Sequence, residues 1–145
     1  MNDTKNDGSL VNLANTLSMS PYGKFLGIRL EEAAAGKARC SIRLEPHHLN
    51  TGGRVHGGVL TSLADTAAGV AVRTIRPEGK LSATTDLSIA FIRPPQGDSL
   101  EATAAVINAG KQLVRTEITI SDADKLVAKI TATFMLISVE PPDKA

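Results

Sequence analysis

Apolar and polar side chains alternate along this chain in patterns that change with the elements they predict. Leu10, Leu13, Ala14 and Leu17 recur at helical spacing as far as Ser20-Pro21, which predicts a short amphipathic lead-in helix. From Ile28 the period becomes two. Ala38, Cys40, Ile42 and Leu44 alternate with Arg39, Ser41, Arg43 and Glu45, the pattern of a half-buried strand, with Gly36-Lys37 as the preceding turn. A loop from Pro46 to Val55 leads into a long helix between Gly57 and Arg76. After Pro77 to Lys80 the chain reads as strands only. Leu87, Ile89 and Phe91 share one face before Arg93-Pro94-Pro95; Val114, Thr116, Ile118 and Ile120 form another; Leu126, Ala128, Ile130, Ala132, Phe134 and Leu136 form the last. Asn108 to Lys111 and Ser121 to Asp124 have the composition of hairpin connections, so these strands are expected to be antiparallel neighbours.

The helix carries small residues on several sides (Gly58, Ala64, Ala67, Ala68, Gly69, Ala71), so other backbone can approach it closely. One such helix with five to six antiparallel strands predicts an α+β domain in which a curved sheet wraps a central helix. Residues 1–8 are polar and expected to be disordered, residues 9–140 form a single domain, and 141–145 form a tail. With 145 residues, 42% of them hydrophobic, the chain is long enough to bury roughly 68–70% of its unfolded surface without disulfides or a structural metal. A formal charge of +1 and four aromatic residues, none of them Trp, argue against a nucleic-acid partner. The stretch from Gly57 to Ile75 carries Asp65 and Arg73 and falls short of a membrane span. The polar start lacks the features of a secretory signal, so a cytoplasmic location is expected. Cys40 is expected to be an inert core residue, and it and three histidines do not supply a tetrahedral zinc set, so no metal is expected.

Candidate chemistry concentrates in Asn50-Thr51-Gly52-Gly53-Arg54-Val55-His56-Gly57-Gly58, which runs directly into the helix. Helix N-termini leave N–H groups unpaired and carry a partial positive charge. Glycines at 57 and 58 would let a carbonyl oxygen reach those N–H groups and be polarised, or would simply let the loop turn and the helix pack. Asp65 favours the first reading, because an ionisable residue inside a Gly/Ala/Leu-rich helix needs a partner or a cleft. Eight residues separate Gly57 from Asp65, about 12 Å along the axis, too far for both to act on one carbonyl. If both are catalytic they belong to different subunits, and a two-fold dimer would create two equivalent sites. Asn50 either positions water or substrate or makes a turn; His56 either contacts substrate or fixes the loop. Thr84 and Thr85 are within plausible reach of the same cleft. Arg54, Arg73, Arg76, Lys80 and Arg93 either hold phosphates or are solvated surface charges. A serine triad is not expected without a Gly-x-Ser-x-Gly elbow, and the phosphate-loop and dinucleotide patterns are missing.

The series Asn50…Gly53…His56-Gly57-Gly58 followed by Leu63-Ala64-Asp65-Thr66-Ala67 resembles the signature of hotdog-fold acyl-CoA thioesterases of the phenylacetic acid degradation type. Gly23 to Ile28, Thr85 to Pro94 and Ala128 to Phe134 extend the resemblance over roughly residues 20 to 138. It implies a hotdog fold assembled as homodimers that often pair into homotetramers, and hydrolysis of an acyl- or aryl-acyl-CoA thioester without a cofactor. Position by position, it implies that the Gly57 N–H polarises the carbonyl and that Asp65 acts from the neighbouring subunit as general base or nucleophile. It gives Asn50 the positioning of water or thioester, His56 a supporting role and Thr84 a place near the acid; the residues themselves make Gly58, Arg54 and Arg93 further candidates for contact with the substrate. Dehydratases share the fold but carry an Asn-Pro signature not found here. A non-catalytic acyl-CoA sensor is the alternative function; it would keep the pocket and dispense with Asp65.

Overall fold

The computed structural model describes residues 19–139. The expectations for residues 1–8, for the lead-in helix at Leu10 to Leu17 and for the 141–145 tail lie outside them. The described chain forms helices α1 (Pro21–Leu26) and α2 (Gly57–Arg73) and strands β1 (Ile28–Ala34), β2 (Lys37–Arg43), β3 (Lys80–Phe91), β4 (Ser99–Ala109), β5 (Leu113–Asp122) and β6 (Lys125–Ser138). All strand pairs are antiparallel, in the order β1-β2-β4-β5-β6-β3. This is the α+β arrangement the pattern predicts and the hotdog fold the resemblance implies. Both expected hairpins are present, between β4 and β5 and between β5 and β6.

Helix α2 packs its buried face, including Leu60, Leu63, Ala64, Ala67, Ala68 and Ala71, onto side chains such as Ile42, Leu100, Ile118 and Ile130 of the sheet. Alanine at four of those six positions lets the helix axis approach the strands closely, which the small residues anticipated. Thr116 shares this apolar face; its hydroxyl donates to the Ala132 carbonyl at 2.9 Å, so burial leaves no polar atom unpaired. No helix among the described residues is long and apolar enough to cross a membrane.

Three local features differ from expectation. Ser20-Pro21 begins a helix: the Ser20 hydroxyl accepts from the Gly23 N–H at 3.1 Å, Pro21 takes the first helical position, and Gly27 at φ 85° ends the element. A Ser-Pro pair marks a boundary of either sense, which is why spacing alone read it as a stop. The β1–β2 turn falls on Ala35-Gly36, both at positive φ, one residue before the predicted Gly36-Lys37. Helix α2 ends at Arg73, with Thr74 as its cap, and not at Arg76.

His48, within a short 3-10 turn (Pro46–His48), is buried and ties three elements together. Its Nδ1 accepts from the Glu45 N–H at 2.9 Å, so the neutral ring carries its proton on Nε2, which donates to the Leu26 carbonyl at 2.7 Å. Its own carbonyl accepts the His56 N–H at 2.8 Å. Replacing His48 with Ala would leave two part-buried backbone groups unpaired and open a cavity. We expect a loss of about 2–4 kcal/mol in urea denaturation. A loss under about 0.5 kcal/mol, the range of an ordinary surface substitution, would refute this role.

Candidate active site

The loop before α2 is fixed from within. Asn50 Oδ1 accepts from the Gly52 and Arg54 N–H groups at 2.9 and 3.1 Å, while Leu49 and Val55 form a β-bridge. Of the two readings of Asn50, the turn is therefore present, and the side-chain NH2 is left as the group that can meet a ligand. His56 is the N-cap of α2, with Nδ1 accepting from the Gly58 N–H at 2.8 Å. That bond occupies the Gly58 donor. Gly58 contributes its missing side chain instead, since a Cβ there would lie 2.9 Å from His56 Nδ1. Among the described residues the Gly57 N–H meets no acceptor. A Cβ on Gly57 would lie 3.2 Å from the end of the Phe91 ring. Phe91 shares the face of Leu87 and Ile89, as expected, but is 57% exposed at the end of β3 and stands over the start of α2.

Asn50, Arg54, Gly57, Phe91 and Arg93 line one cleft of about 360 Å³. Its rim is held by Asp122, whose carboxylate accepts from the Gln96 and Gly97 N–H groups at 2.7 and 2.8 Å. Those two bonds hold the carboxyl below the usual carboxylate range and clip the segment after Arg93-Pro94-Pro95 to the β5–β6 hairpin.

Asp65 lies elsewhere. It is half-buried, two turns along α2, in a second cleft of about 280 Å³ with Thr84, Gly69 and Arg76. Thr84 Oγ1 donates to Asp65 Oδ1 at 2.7 Å. A β-bulge makes this bond possible. The β3–β6 register shifts between Thr84 and Asp86, so Ser82 and Thr84 face the same side as Leu87 and Ile89 although their numbers differ in parity. Strict alternation cannot show this. Thr85, the extra residue, donates instead to the Thr133 carbonyl at 3.2 Å. The sequence also gave no sign that the Tyr22 hydroxyl meets Ser62 Oγ at 2.7 Å across the mouth of the Asp65 cleft.

The structure thus brings Asn50, His56, Gly57, Gly58, Arg54 and Arg93 together around one helix end, and Asp65 with Thr84 in a separate cleft of the same chain. Unpaired N–H at a helix start suits a developing oxyanion; a half-buried carboxylate steadied by one hydroxyl suits proton transfer or nucleophilic attack.

Residues 52–129 match the Thioesterase superfamily. Acyl-coenzyme A thioesterase 13 of Homo sapiens is 30% identical over 112 residues, 74% of this chain and 79% of that protein. Among solved structures, the PaaI protein from the phenylacetic acid degradation operon of E. coli is 31% identical with a TM-score of 0.78, covering 89% of this chain and 96% of that one. The conserved protein PA5202 of Pseudomonas aeruginosa is 30% identical with a TM-score of 0.79, covering 82% and 95%. The family match spans more than half of the chain and falls on the loop, the helix and the sheet that form both clefts, so the chain belongs to the Thioesterase superfamily and is a thioester hydrolase of the hotdog fold.

Proposed function

We propose that the protein hydrolyses an acyl- or aryl-acyl-CoA thioester in the cytoplasm, releasing the free acid and CoA, at sites shared between two subunits. One observation carries the proposal: the Gly57 N–H and the Asp65 carboxylate, the two groups suited to the chemistry, open into different clefts of one chain. Pairing through β3 supplies the missing half. This 12-residue edge strand is bonded to β6 along one side only, and such an edge is a template for a second copy. Antiparallel pairing about a two-fold axis at Ser88, with the bulge residue Thr85 left over, sets Thr84, beside Asp65, opposite Phe91 of the partner subunit, which stands over Gly57. Both sites form at once. Paired dimers, giving a tetramer, are part of the same proposal.

In this site the Gly57 N–H receives the thioester oxygen while Asp65 of the other chain activates water as general base or attacks the carbonyl itself. Asn50 offers its NH2 to the water or the thioester, His56 holds the helix start in place, and Arg54 and Arg93 take the CoA phosphates. No cofactor is called for, because a thioester is already an activated acyl group. The similarity to a human acyl-coenzyme A thioesterase supports CoA as the thiol.

Thiol release from a panel of phenylacetyl-type, short-chain and medium-chain acyl-CoAs tests the proposal. Cys40 will add little background to a thiol reagent, since burial first and the nearby Glu31 second push its thiol up to about 12. Turnover of at least one member is expected, with light scattering at twice or four times the chain mass. Tight acyl-CoA binding with no turnover on any member would instead indicate a binding protein, and a monomeric active enzyme would overturn the shared site.

A further inference from the structure

The Asp65 cleft ends on the Arg76 guanidinium, which makes no ion pair among the described residues. It runs along α2 from Asp65 past Gly69 to Arg73 and Arg76, eight residues or about 12 Å of helix axis to Arg73. Arg76 is half-buried, and its hydrogen bond within the described chain is a long one, 3.3 Å from Nη1 to Ser82 Oγ. The ion pairs among the described residues use Arg39, Arg43 and Lys129, not Arg76. Burial and the neighbouring Arg73 charge both pull its guanidinium below the ordinary value, with no acid acting to raise it. The carboxylate in the cleft, Asp65, is bonded to Thr84. A guanidinium desolvated beside another cation is poorly placed for stability and well placed to receive an anion in a charge-assisted, bidentate bond.

The two clefts differ in character. Val55, Leu60, Phe91, Ile92, Pro94 and Pro95 make the Gly57 cleft largely apolar between its arginines, whereas hydroxyls of Tyr22, Ser82 and Thr84 line the way from Asp65 to Arg76. Gly69 keeps that path open. A Cβ there would meet nothing closer than the Phe134 ring at 3.8 Å, so packing does not require glycine at a mid-helix position where alanine is about 1 kcal/mol more favourable.

With the CoA phosphates at Arg54 and Arg93, as proposed above, the acyl group occupies the Asp65 cleft. Resting on that assignment, we infer that Arg76 is a specificity-determining residue and that the protein prefers acyl groups bearing a carboxylate at the end remote from the thioester, that is, dicarboxylic acyl-CoAs of short to medium length. The guanidinium binds the far carboxylate while the near carbonyl sits between Asp65 and the Gly57 N–H of the partner subunit.

The test compares kcat/KM for matched pairs: succinyl- with butyryl-CoA, glutaryl- with valeryl-CoA, adipyl- with hexanoyl-CoA. In the native protein the best diacid should exceed its monoacid partner by about 10- to 100-fold, the worth of a hydrogen bond to a charged group, and Arg76→Gln should abolish that ratio while Arg76→Lys retains part of it. Because the ratio is internal to each variant, partial misfolding does not mimic the result. Turnover of monoacids with no diacid preference overturns the inference and leaves the thioesterase proposal standing. An equal loss on both members of each pair in Arg76→Gln also overturns it, because Arg76 would then hold a CoA phosphate common to all substrates. No turnover on any pair overturns the thioesterase proposal itself, and the inference with it.

Discussion

Asp65→Asn is expected to lower kcat by about 100- to 10,000-fold, the range spanned by positioned general acids and bases, while leaving the fold intact. The substitution is nearly isosteric. Asn Oδ1 can still accept from Thr84 Oγ1, so the 2.7 Å bond that orients the side chain survives and the loss reports the charge and basicity of the carboxylate. Thr84→Val is the complementary change, removing the orienting hydroxyl and keeping the carboxylate; it should cost far less. The measurement is steady-state thiol release beside a thermal melt. A variant within threefold of the native kcat would remove Asp65 from the reaction.

Gly57→Pro should cost about 100- to 1,000-fold in kcat, the usual consequence of removing one oxyanion donor. Proline is well tolerated at the first position of a helix, where its missing N–H has no intrahelical acceptor, and His56 at φ −63° and ψ 134° already has the extended conformation a following proline requires. The added Cβ approaches the Phe91 ring at 3.2 Å, but that ring is exposed and can give way. Gly57→Ala makes the same contact and keeps the N–H, so the difference between the two variants isolates the donor. Co-expressing Gly57→Pro with Asp65→Asn then tests the shared site. Random pairing of equal amounts makes half of the dimers mixed, each with one intact site, and restores about a quarter of native activity. Mixed dimers that stay inactive would place the whole reaction within one chain.

Much of this arrangement could be read in the residues. Alternation located β2, β5 and β6 because each has one face buried along its length, and the small residues of α2 announced a helix that other backbone approaches closely. Gly57 and Asp65 were legible as a pair too far apart to act together, since helical rise is a constant. The bond between Asp65 and Thr84 was not legible from spacing, because it joins positions 19 apart on different elements and depends on the bulge before Asp86. Period-two reasoning fails wherever one extra residue resets the alternation. His48 was invisible for another reason: its role lies in two backbone partners, Glu45 and Leu26, that no motif links to a histidine.

The alanine contact between α2 and the sheet bears on how such a protein acquires new substrates. Ala64, Ala67, Ala68 and Ala71 are fully buried, and in a close-packed contact enlarging any of them would press on the helix that carries both the Gly57 donor and the Asp65 carboxylate. Reshaping from beneath therefore disturbs both half-sites together. Variation in substrate range must instead come from rim positions such as Met19, Leu30 and Gly69, where a side chain can grow into the cleft while the helix stays where it is. The catalytic frame is held constant by its smallest residues, and evolutionary freedom is left to the edges of the cavity.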